Sequence, residues 1–452
     1  MTSHLHVRAR DLSVLAQADV LVCGGGPAGI AAAWSAARHG CKVILLERWP
    51  SVGGMLTNAL VNIWHTSDRK KQVIYGVAQE AIERGGEFVA RYDHYPQNCE
   101  THLLDSEGMR VVFQEMLDER GVRTICNLTA VESVVEDGRI RGVLVDTKTG
   151  RKAVLGSMVI DATGDGDVAA GAGLPFEFGR AEDGRVQGMT MMYNMRGIDS
   201  QRAKQSEKAP EVIEKMRRMR DAGEFPPFNE GATKFLLPGG SNYVPWNMAP
   251  VAGNPLDEEE LTRLTHRARA QVYTYWRLWR REMPGFEDAW VNQMGFGLGV
   301  RESRRVRGIK TLTREMVVGA VKQPDAVGHG FWIIDIHDPE GSGYTTWHDR
   351  REDIRPPVGE SYHMPLGMCI NETIPNLGVA GRCASSTHEG HSSCRVQSHC
   401  IVMGQGVGTA AALALDGGVD MAHVDVRKLQ AMLRADGVYL EDVPEEAQAG
   451  SS

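Results

Sequence analysis

The sequence of 452 residues has little of several features that define other protein classes. Only 6% of its residues are aromatic, and none of its eight cysteines is spaced as Cys-x-x-Cys. Such sparse cysteines exclude a disulfide-dense scaffold and are typical of reduced, cytoplasmic thiols. The 50 basic and 58 acidic residues give a net charge of −8, which disfavours general binding to nucleic acid or anionic lipid.

Long apolar segments are also missing. Residues 1–17 include charged side chains and lack the apolar core of a secretory signal. The longest nearly apolar stretch, residues 400–415, contains Gln405 and is shorter than the ~20 residues that a membrane span needs. We therefore expect a cytoplasmic protein with no membrane partner and no nucleic-acid partner.

Glycine, by contrast, is abundant, and its first cluster lies between a predicted strand and a predicted helix. Residues 19–23 form an apolar strand pattern that ends in Gly-Gly-Gly-Pro-Ala-Gly at residues 24–29. An Ala-rich helix pattern follows at residues 30–39, then a second apolar strand at residues 42–46 and an acid, Glu47. This order of strand, glycine turn, helix, strand and acid is typical of a dinucleotide-binding unit.

The turn fits the motif G-x-G-x-x-G through Gly24, Gly26 and Gly29, with Pro27 and Ala28 between them. Gly24 permits a tight turn, Gly26 lets the backbone approach a pyrophosphate, and Gly29 allows the helix to pack closely on the strand. The amides at the helix N-terminus then face the phosphates. A glycine-rich turn in an unrelated parallel sheet is the alternative.

Glu47 indicates which dinucleotide the unit binds. A carboxylate at the end of the second strand accepts hydrogen bonds from a ribose diol and repels a 2′-phosphate. The sequence therefore favours FAD or NAD over NADP.

Further motifs extend over almost the whole chain. They occupy residues 24–29 with Glu47, 53–57, 72–76, 161–167, 301–305, 335–338, 381–383, 395–396 and 404–412. On these residues the chain resembles the FAD-dependent oxidoreductases of the glutathione-reductase-like (two-dinucleotide-binding-domain) flavoprotein superfamily. It is most similar to a bacterial subgroup that includes xanthan-lyase-associated proteins.

The resemblance implies FAD as the cofactor and assigns further residues to it. It implies that Val131 lines the adenine site and that Thr163 and Gly164 lie along the ribityl and pyrophosphate groups. Gly381 and Arg382 would bring backbone groups to the phosphates and the ribityl chain. The other cofactor residues in these motifs are Arg48, Gly53, Gly54, Met55, Thr57, Ala162 and Asp165.

The resemblance also directs the last helix, entered at residues 404–408, toward the flavin. Its N-terminal amides would face the pyrimidine edge, where two-electron reduction adds negative charge. Gln405, Gly408 and Thr409 would then be cofactor residues. Close helix packing through small residues is the alternative for this segment.

Two absences narrow the chemistry. There is no second G-x-G-x-x-G followed by a strand and an acid, so a nicotinamide-binding domain is not expected. Cys383, Cys394 and Cys400 are too unevenly spaced for the cysteine pair of a disulfide reductase. We therefore expect the substrate itself to reduce the flavin and a separate, unidentified acceptor to reoxidise it.

The patterns predict an α/β protein with a discontinuous FAD-binding domain. Its Rossmann-like parallel sheet and β-meander would comprise residues 1–178 and 363–440, and a hairpin signal at residues 137–138 supports the meander. An inserted α+β substrate domain would occupy residues 179–362, and a C-terminal tail residues 441–452.

The first candidates for substrate chemistry follow the 381–383 motif. His388 and Arg395 are expected to face the substrate, with ordinary loop hydrogen bonding as the alternative. His388 also clusters with His391 and His399, but these spacings complete no convincing ligand set, and we predict no metal.

Four other residues are candidates for the same site. His65 follows the second glycine motif and is expected near the flavin, with covalent attachment of the cofactor as an alternative. His363 precedes the return to the FAD domain, and His337 is a base or a turn-stabilising residue. Arg301 is a candidate to clamp a carboxylate, with an ion pair as the commoner outcome.

Together these features predict an FAD-dependent dehydrogenase or oxidase. It would oxidise a small polar organic substrate at a C–H that bears OH or NH, with hydride transfer to flavin N5 and proton removal by a histidine. A flavin-dependent monooxygenase and a non-catalytic flavin-binding protein are the alternatives. Homo-oligomer formation is left open.

Overall fold

The computed structural model describes residues 11–91, 100–206, 209–224, 234–236, 243–245, 248–346 and 352–445. The strands in these residues are β1 (Val14–Cys23), β2 (Val43–Glu47), β3 (Ile63–His65), β4 (Val89–Arg91), β5 (Thr101–Leu104), β6 (Arg123–Cys126), β7 (Thr129–Glu136), β8 (Arg139–Thr147), β9 (Gly150–Asp161), β10 (Phe176–Phe178), β11 (Met189–Thr190), β12 (Tyr193–Arg196), β13 (Lys234–Leu236), β14 (Tyr243–Pro245), β15 (Pro250–Val251), β16 (Trp290–Met294), β17 (Arg304–Val306), β18 (Ala326–Gly330), β19 (Tyr362–Pro365) and β20 (Leu377–Val379). The α-helices are α1 (Pro27–Arg38), α2 (Val77–Gly85), α3 (Ser106–Glu119), α4 (Asp167–Gly171), α5 (Ser200–Ser206), α6 (Pro210–Asp221), α7 (Glu258–Glu282), α8 (Arg314–Val318), α9 (His388–Cys394), α10 (Gln397–Gly417) and α11 (Val426–Ala435).

The main sheet has the strand order β6-β2-β1-β9-β8-β7, and β20 also pairs with β9. Strands β6, β2, β1, β9 and β20 run parallel, whereas β7 and β8 form an antiparallel meander with β9. Cys23 at the end of β1 is paired with Asp161 at the end of β9, so the loops that follow both strands leave the same edge. The predicted α/β class with a Rossmann-like parallel sheet and a meander is confirmed.

Two apolar helices cover one face of this sheet. Helix α1 is rich in alanine and almost entirely buried, and it packs along α10. Helix α10 is long and apolar enough to cross a membrane by composition, but 83% of its apolar window is buried inside the protein. Its apolar character is therefore that of a core helix.

A second hydrophobic core lies in the middle of the chain, between Met189 and Leu298. It is built on α7 and on a small antiparallel sheet of order β13-β14-β12-β16. Helix α7 begins after Asp257, whose carboxylate accepts a hydrogen bond from the Glu260 N–H and caps the helix. Charged residues face solvent along α7, and Leu264, Tyr275 and other apolar side chains fill this core.

Part of the segment predicted as the inserted unit packs with the main core. Leu312, Trp332 and Ile333 belong to the main core, and β18 pairs with β19. The chain therefore contributes to the main core from Leu312 onward, about 50 residues before the predicted boundary at 363. Residues 446–452 of the predicted tail lie outside the described residues.

Candidate functional site

The turn between β1 and α1 contains the first glycine motif. Gly24 has a φ of +104°, and a Cβ there would meet the Ala162 carbonyl oxygen at 2.3 Å. A Cβ on Gly29 would meet the Gly24 carbonyl oxygen at 1.8 Å, so close backbone packing requires both glycines. A Cβ on Gly26 would meet only the Gly54 Cα, at 3.9 Å, and the space beside Gly26 belongs to a cavity that both residues line.

Glu47 is buried at the end of β2, beside this turn. Its carboxylate accepts hydrogen bonds from the backbone N–H of Gly25 at 2.7 Å and of Trp49 at 2.9 Å. Burial raises the pKa of Glu47, and these two hydrogen bonds and the charge of Arg48 oppose that rise. The carboxylate is thus held on the wall of the cavity, at the position that the motif predicts for a ribose acceptor.

The cavity has a volume of about 510 Å³ and follows the carboxyl edge of the main sheet. It extends from the glycine turn to α7 of the second core. The predicted cofactor residues on its wall are Gly24, Gly26, Pro27, Ala28, Glu47, Arg48, Gly54, Met55, Ala162, Thr163, Gly164, Gly381 and Arg382. We call this space the large cavity.

The loop after β9 shows how a second motif shapes the wall. The buried Asp161 carboxylate accepts hydrogen bonds from the Thr163 N–H at 3.0 Å, the Thr163 hydroxyl at 2.7 Å and the Ala169 N–H at 2.8 Å. Burial raises the pKa of Asp161 to about 6 against these hydrogen bonds. Asp161 therefore folds the loop, and Thr163 and Gly164 lie on the cavity wall.

Arg382 reaches the cavity from the loop after β20. Its guanidinium donates to Asp165 Oδ1 at 2.7 Å and to the Ser303 hydroxyl at 2.8 Å. Asp165, predicted as a cofactor residue, does not line the cavity; it binds and orients Arg382.

Three predicted residues of the glycine motifs support the wall without lining it. Gly29 packs against the turn backbone, as described above. Gly53, with a φ of +111°, lies against the Thr57 side chain, whose hydroxyl donates to the Val52 carbonyl at 2.8 Å. Gly29, Gly53 and Thr57 are therefore packing residues, because their small or hydroxyl side chains let the backbone of each turn close.

The adenine role of Val131 stays a prediction. Its side chain is 41% exposed and does not line the large cavity, whereas Leu128, Thr129 and Ala130 do. The pairing of β7 with β8 shifts in register between Ala130 and Glu132, so the strand is irregular at Val131.

The glycines of α10 also differ from the prediction. A Cβ on Gly404 would meet the Ala28 carbonyl oxygen at 2.0 Å, and one on Gly408 would meet the Ala32 carbonyl oxygen at 2.3 Å. Both glycines lie in the interior of α10 and allow it to approach α1. The packing alternative is therefore the correct interpretation of these residues.

The same helix begins earlier than predicted. It starts at Gln397, and the residues near this start that line a cavity are Arg395, Val396, Gln397 and Cys400. Gln405 accepts a hydrogen bond from the Val77 N–H at 3.1 Å, and Thr409 donates to the Gln405 carbonyl at 2.9 Å. Gln405, Gly408 and Thr409 are thus absent from both cavity walls.

A small cavity of about 100 Å³ adjoins the large one. Residues common to both walls show that the two spaces meet: Met55, Val300, Arg382, Arg395 and Gln397. The remaining lining residues of the small cavity are Val61, Ile63, His65, Thr190, Met192, Gly299, Arg301, Trp332, Asp335, His337 and Val396. Four predicted catalytic residues, His65, Arg301, His337 and Arg395, are therefore together on one wall.

Asp335 connects two of these residues. Its Oδ2 lies 3.4 Å from His337 Nε2 and 3.6 Å from Arg395 Nη2, which also donates to the Asp335 carbonyl at 2.8 Å. Burial would raise the pKa of Asp335, but His337 and Arg395 hold it below its usual range. Burial and the charge of Arg301 lower the pKa of His337 to about 4, so its imidazole is neutral at pH 7.

His65 lies on the same wall, at the end of β3. Its ring stacks on Trp332 with centroids 4.0 Å apart, and Nδ1 is 3.0 Å from the Thr101 hydroxyl. Burial and the nearby His399 lower the pKa of His65 to about 3. His65 is therefore also neutral at pH 7, and its ring is held in one orientation.

Arg301 reaches the small cavity from the segment after β16. Its Nη1 donates to the Gly188 carbonyl at 2.7 Å and to the Thr190 hydroxyl at 2.9 Å. Burial and the charge of Arg395 lower the pKa of Arg301 to about 9. The neighbouring Arg305 forms an ion pair with Glu302, which is the alternative that the sequence offered for Arg301.

Two predicted catalytic histidines do not line either cavity. His388 Nδ1 is 3.0 Å from Glu302 Oε1, in the buried network of Arg305. His363 Nδ1 accepts from the Gln323 N–H at 3.0 Å, and its Nε2 is 2.9 Å from the Glu441 carbonyl. Buried hydrogen-bond networks hold both rings away from the cavity walls.

The sequence analysis missed several lining residues. Trp49 follows Glu47 and stacks on Phe296, with ring centroids 6.1 Å apart and planes at 20°. Thr262, Thr265 and His266 bring one face of α7 to the large cavity. The spacing of three and four residues between these polar side chains was the available signal.

A family model described as FAD dependent oxidoreductase matches residues 19–433. The thiamine thiazole synthase of Pyrococcus abyssi is 31% identical over 166 residues, 35% of this chain and 61% of that protein. Digeranylgeranylglycerophospholipid reductase 1 of Methanopyrus kandleri is 31% identical over 157 residues, 32% of this chain and 39% of that protein. The chain thus matches less than two thirds of either relative.

Among solved structures, a geranylgeranyl bacteriochlorophyll reductase-like protein from Thermoplasma acidophilum is similar over 93% of this chain and 83% of its own. The TM-score is 0.45 and the sequence identity 15%.

Proposed function

Because this chain belongs to the FAD dependent oxidoreductase family and FAD is its cofactor, we propose that it oxidises a small polar organic substrate. The reacting carbon would carry a hydrogen and a hydroxyl or amino group. We further propose that the large cavity holds FAD and that the small cavity holds the substrate. The large cavity fits the cofactor because the bare backbone beside Gly26 leaves room for a pyrophosphate and Glu47 is positioned for a ribose.

One observation carries the proposal: two neutral histidines, a carboxylate and three arginines line a small space that opens on the large cavity. FAD, when bound, supplies the acceptor for a hydride. The protein then needs to orient the donor carbon and remove one proton. His337 is suited to the second task, since it is neutral at pH 7 and Asp335 lies 3.4 Å from its Nε2.

Asp335 would fix the tautomer of this ring. With Nε2–H directed to Asp335, the Nδ1 lone pair of His337 is left to accept the substrate proton. The carboxylate would also stabilise the imidazolium that forms. We propose that the ring of His65, stacked on Trp332, shapes the substrate space.

Anaerobic titration of the purified, yellow holoprotein tests this proposal. Alcohols, sugars, amines, hydroxy acids and amino acids are added in turn while the flavin absorbance is recorded. Loss of the flavin band with one substrate class, and formation of the oxidised product, is the expected result. A flavin that is reduced only by an external reductant and then inserts oxygen into the substrate would indicate a monooxygenase. A flavin that reacts in neither way would indicate a non-catalytic binding protein.

The sequence motifs support three further proposals. We propose that the protein is cytoplasmic, that it acts on a small molecule, and that it belongs to the bacterial subgroup of the glutathione-reductase-like superfamily named above.

A further inference from the structure

The segment that contains Asp335 and His337 is paired with two consecutive threonines. His337 and Thr345 form an isolated β-bridge, and the Thr346 N–H donates to the Ile336 carbonyl at 3.1 Å. Both threonines therefore lie next to the segment of the proposed base, but their hydroxyl groups have different kinds of partner.

The Thr345 hydroxyl contacts the carboxylate of the small cavity. It donates to Asp335 Oδ1, and both residues are buried. The other oxygen, Oδ2, lies 3.4 Å from His337 Nε2 and 3.6 Å from Arg395 Nη2. Thr345 thus holds one oxygen of the carboxylate, and the imidazole and the guanidinium share the other.

The two groups beside Oδ2 do not attract it equally. The guanidinium of Arg395 is charged and can bind both oxygens of a carboxylate at once, whereas the neutral ring of His337 offers a single N–H. A carboxylate that turned freely about its Cβ–Cγ bond would therefore turn toward Arg395. The hydrogen bond from Thr345 to Oδ1 opposes this rotation and keeps Oδ2 beside His337.

We propose, on the basis of the proposed function, that Thr345 is a positioning residue for the base. By fixing the Asp335 carboxylate, its hydroxyl keeps the ring proton of His337 on Nε2 and leaves the Nδ1 lone pair for the substrate proton. Thr345 does not line either cavity, so it acts through Asp335 and touches neither substrate nor cofactor. Buried hydrogen-bond networks of this kind rigidify a site when their members are paired.

Thr346 provides a matched control in the same segment. Its hydroxyl donates to the Ile334 carbonyl at 2.6 Å and accepts from the Ile336 N–H at 3.0 Å. Both partners are backbone groups, so this hydroxyl supports the local backbone and does not hold the Asp335 carboxylate. Removal of either threonine hydroxyl takes a hydrogen bond from the segment, but only removal of the Thr345 hydroxyl frees the carboxylate.

The tautomer of His337 tests the inference without relying on turnover. The holoprotein is labelled with ¹⁵N in its histidine rings, and His337→Gln identifies the His337 signals among those of the 15 histidines. In a neutral imidazole, the protonated and the unprotonated nitrogen have well-separated ¹⁵N shifts. In the wild type at pH 7 we expect the proton on Nε2. A proton on Nδ1 of the wild-type ring would overturn the proposal.

Variants then assign the tautomer to the Thr345 hydroxyl. In Thr345→Val we expect intermediate ¹⁵N shifts, because both tautomers become populated, and flavin reduction that is slower by about 10- to 100-fold. Thr345→Ser, which keeps the hydroxyl, should restore both properties, and Thr346→Val should keep both. Thr345→Ala replaces the valine variant in this comparison if that variant does not fold. A wild-type tautomer without the Thr345 hydroxyl, or equal losses in the variants of both threonines, would overturn the role of Thr345.

The results also separate this inference from the function on which it rests. If a substrate reduces the flavin but the tautomer and the rate are independent of the Thr345 hydroxyl, the oxidation chemistry stands and the positioning role fails. If the tautomer depends on that hydroxyl but no donor reduces the flavin, the control of the His337 ring stands and the proposed oxidation fails.

Discussion

The large and the small cavity share part of one wall, yet their walls are built differently. Turns and loops of short, continuous motifs form much of the large cavity, including residues 24–28 and 162–164. Side chains that are far apart in the sequence form the small cavity, among them His65, Arg301 and His337. A site made of backbone leaves a glycine pattern in the sequence, whereas a site made of distant side chains leaves isolated residues. The first kind is therefore easier to predict.

Loss of the backbone surface at Gly26 should have the largest effect. Gly26→Val places a side chain in the large cavity, and we expect FAD affinity to fall at least about 100-fold, or about 3 kcal/mol. The protein should still fold, since a Cβ at residue 26 has no protein atom closer than 3.9 Å. Flavin absorbance and circular dichroism of the purified protein measure the two effects.

Gly29 provides the contrast within the same turn. Gly29→Val should impair folding itself, because its Cβ would lie 1.8 Å from the Gly24 carbonyl oxygen. A fully loaded, yellow Gly26→Val protein would contradict the pyrophosphate site that we propose.

A substitution in the small cavity should separate catalysis from cofactor binding. We expect His337→Gln to lower the rate of flavin reduction by about 10²–10⁴-fold, because the proposed base is removed. The FAD content should remain that of the wild type, since His337 does not line the large cavity. Anaerobic stopped-flow measurement of flavin reduction gives the rate.

His363→Gln is the matched control, because His363 is buried but lies outside both cavity walls. It should keep the wild-type reduction rate at a temperature where it is folded. Similar losses in both variants would show that the rate reports folding and would remove His337 as the base.

The small cavity should also contribute to the pH dependence of stability. The pKa values of His65 and His337 are about 3 and about 4 in the folded protein, below the unfolded value of 6.5. The unfolded chain therefore binds more protons as the pH falls below 6.5, and the free energy of unfolding decreases toward pH 4. Each neutral histidine contributes a slope of up to about 1.4 kcal/mol per pH unit.

Denaturant unfolding at a series of pH values measures this slope. His337→Gln should make the pH dependence of the free energy of unfolding shallower, because one histidine fewer takes up a proton on unfolding. Ala130→Phe in the large cavity should leave this slope unchanged. An unchanged slope in His337→Gln would mean that its folded and unfolded pKa values are similar.

The smallest effect is expected at Val131 in β7. Val131→Ala should leave FAD affinity unchanged, because this side chain is exposed and outside the large cavity. Ala130→Phe, one residue earlier, should lower the affinity because Ala130 lines the wall. Fluorescence titration of the apoprotein with FAD compares the two variants, and the opposite order would restore the original assignment of Val131.

Glycine spacing was informative only where its structural context was local. Gly24, Gly26 and Gly29 follow a strand directly, so the turn and its purpose are readable from neighbouring residues. Gly404 and Gly408 also follow each other at short spacing, but their neighbours in space are Ala28 and Ala32. Nothing near Gly404 in the sequence reports that contact, and the helix was therefore predicted to begin too late.

The histidines show the same difference. His388, His391 and His399 form a prominent cluster in the sequence. In the structure, however, His388 contacts Glu302 and lies outside both cavity walls. His337, a single residue in a turn pattern, lies beside Asp335 and opposite segments that are far away in the chain. Residues that cluster in the sequence are close along the chain, whereas a functional site requires residues that are close in space.

The sequence by itself determined the α/β class, the FAD family and the position of the glycine turn, since each depends on hydrogen bonding and steric limits within about 30 residues. Only the tertiary structure decided which histidines and arginines share a cavity and which are held in buried networks. Those outcomes depend on burial and on charges contributed by distant segments, and these act only after the chain has folded.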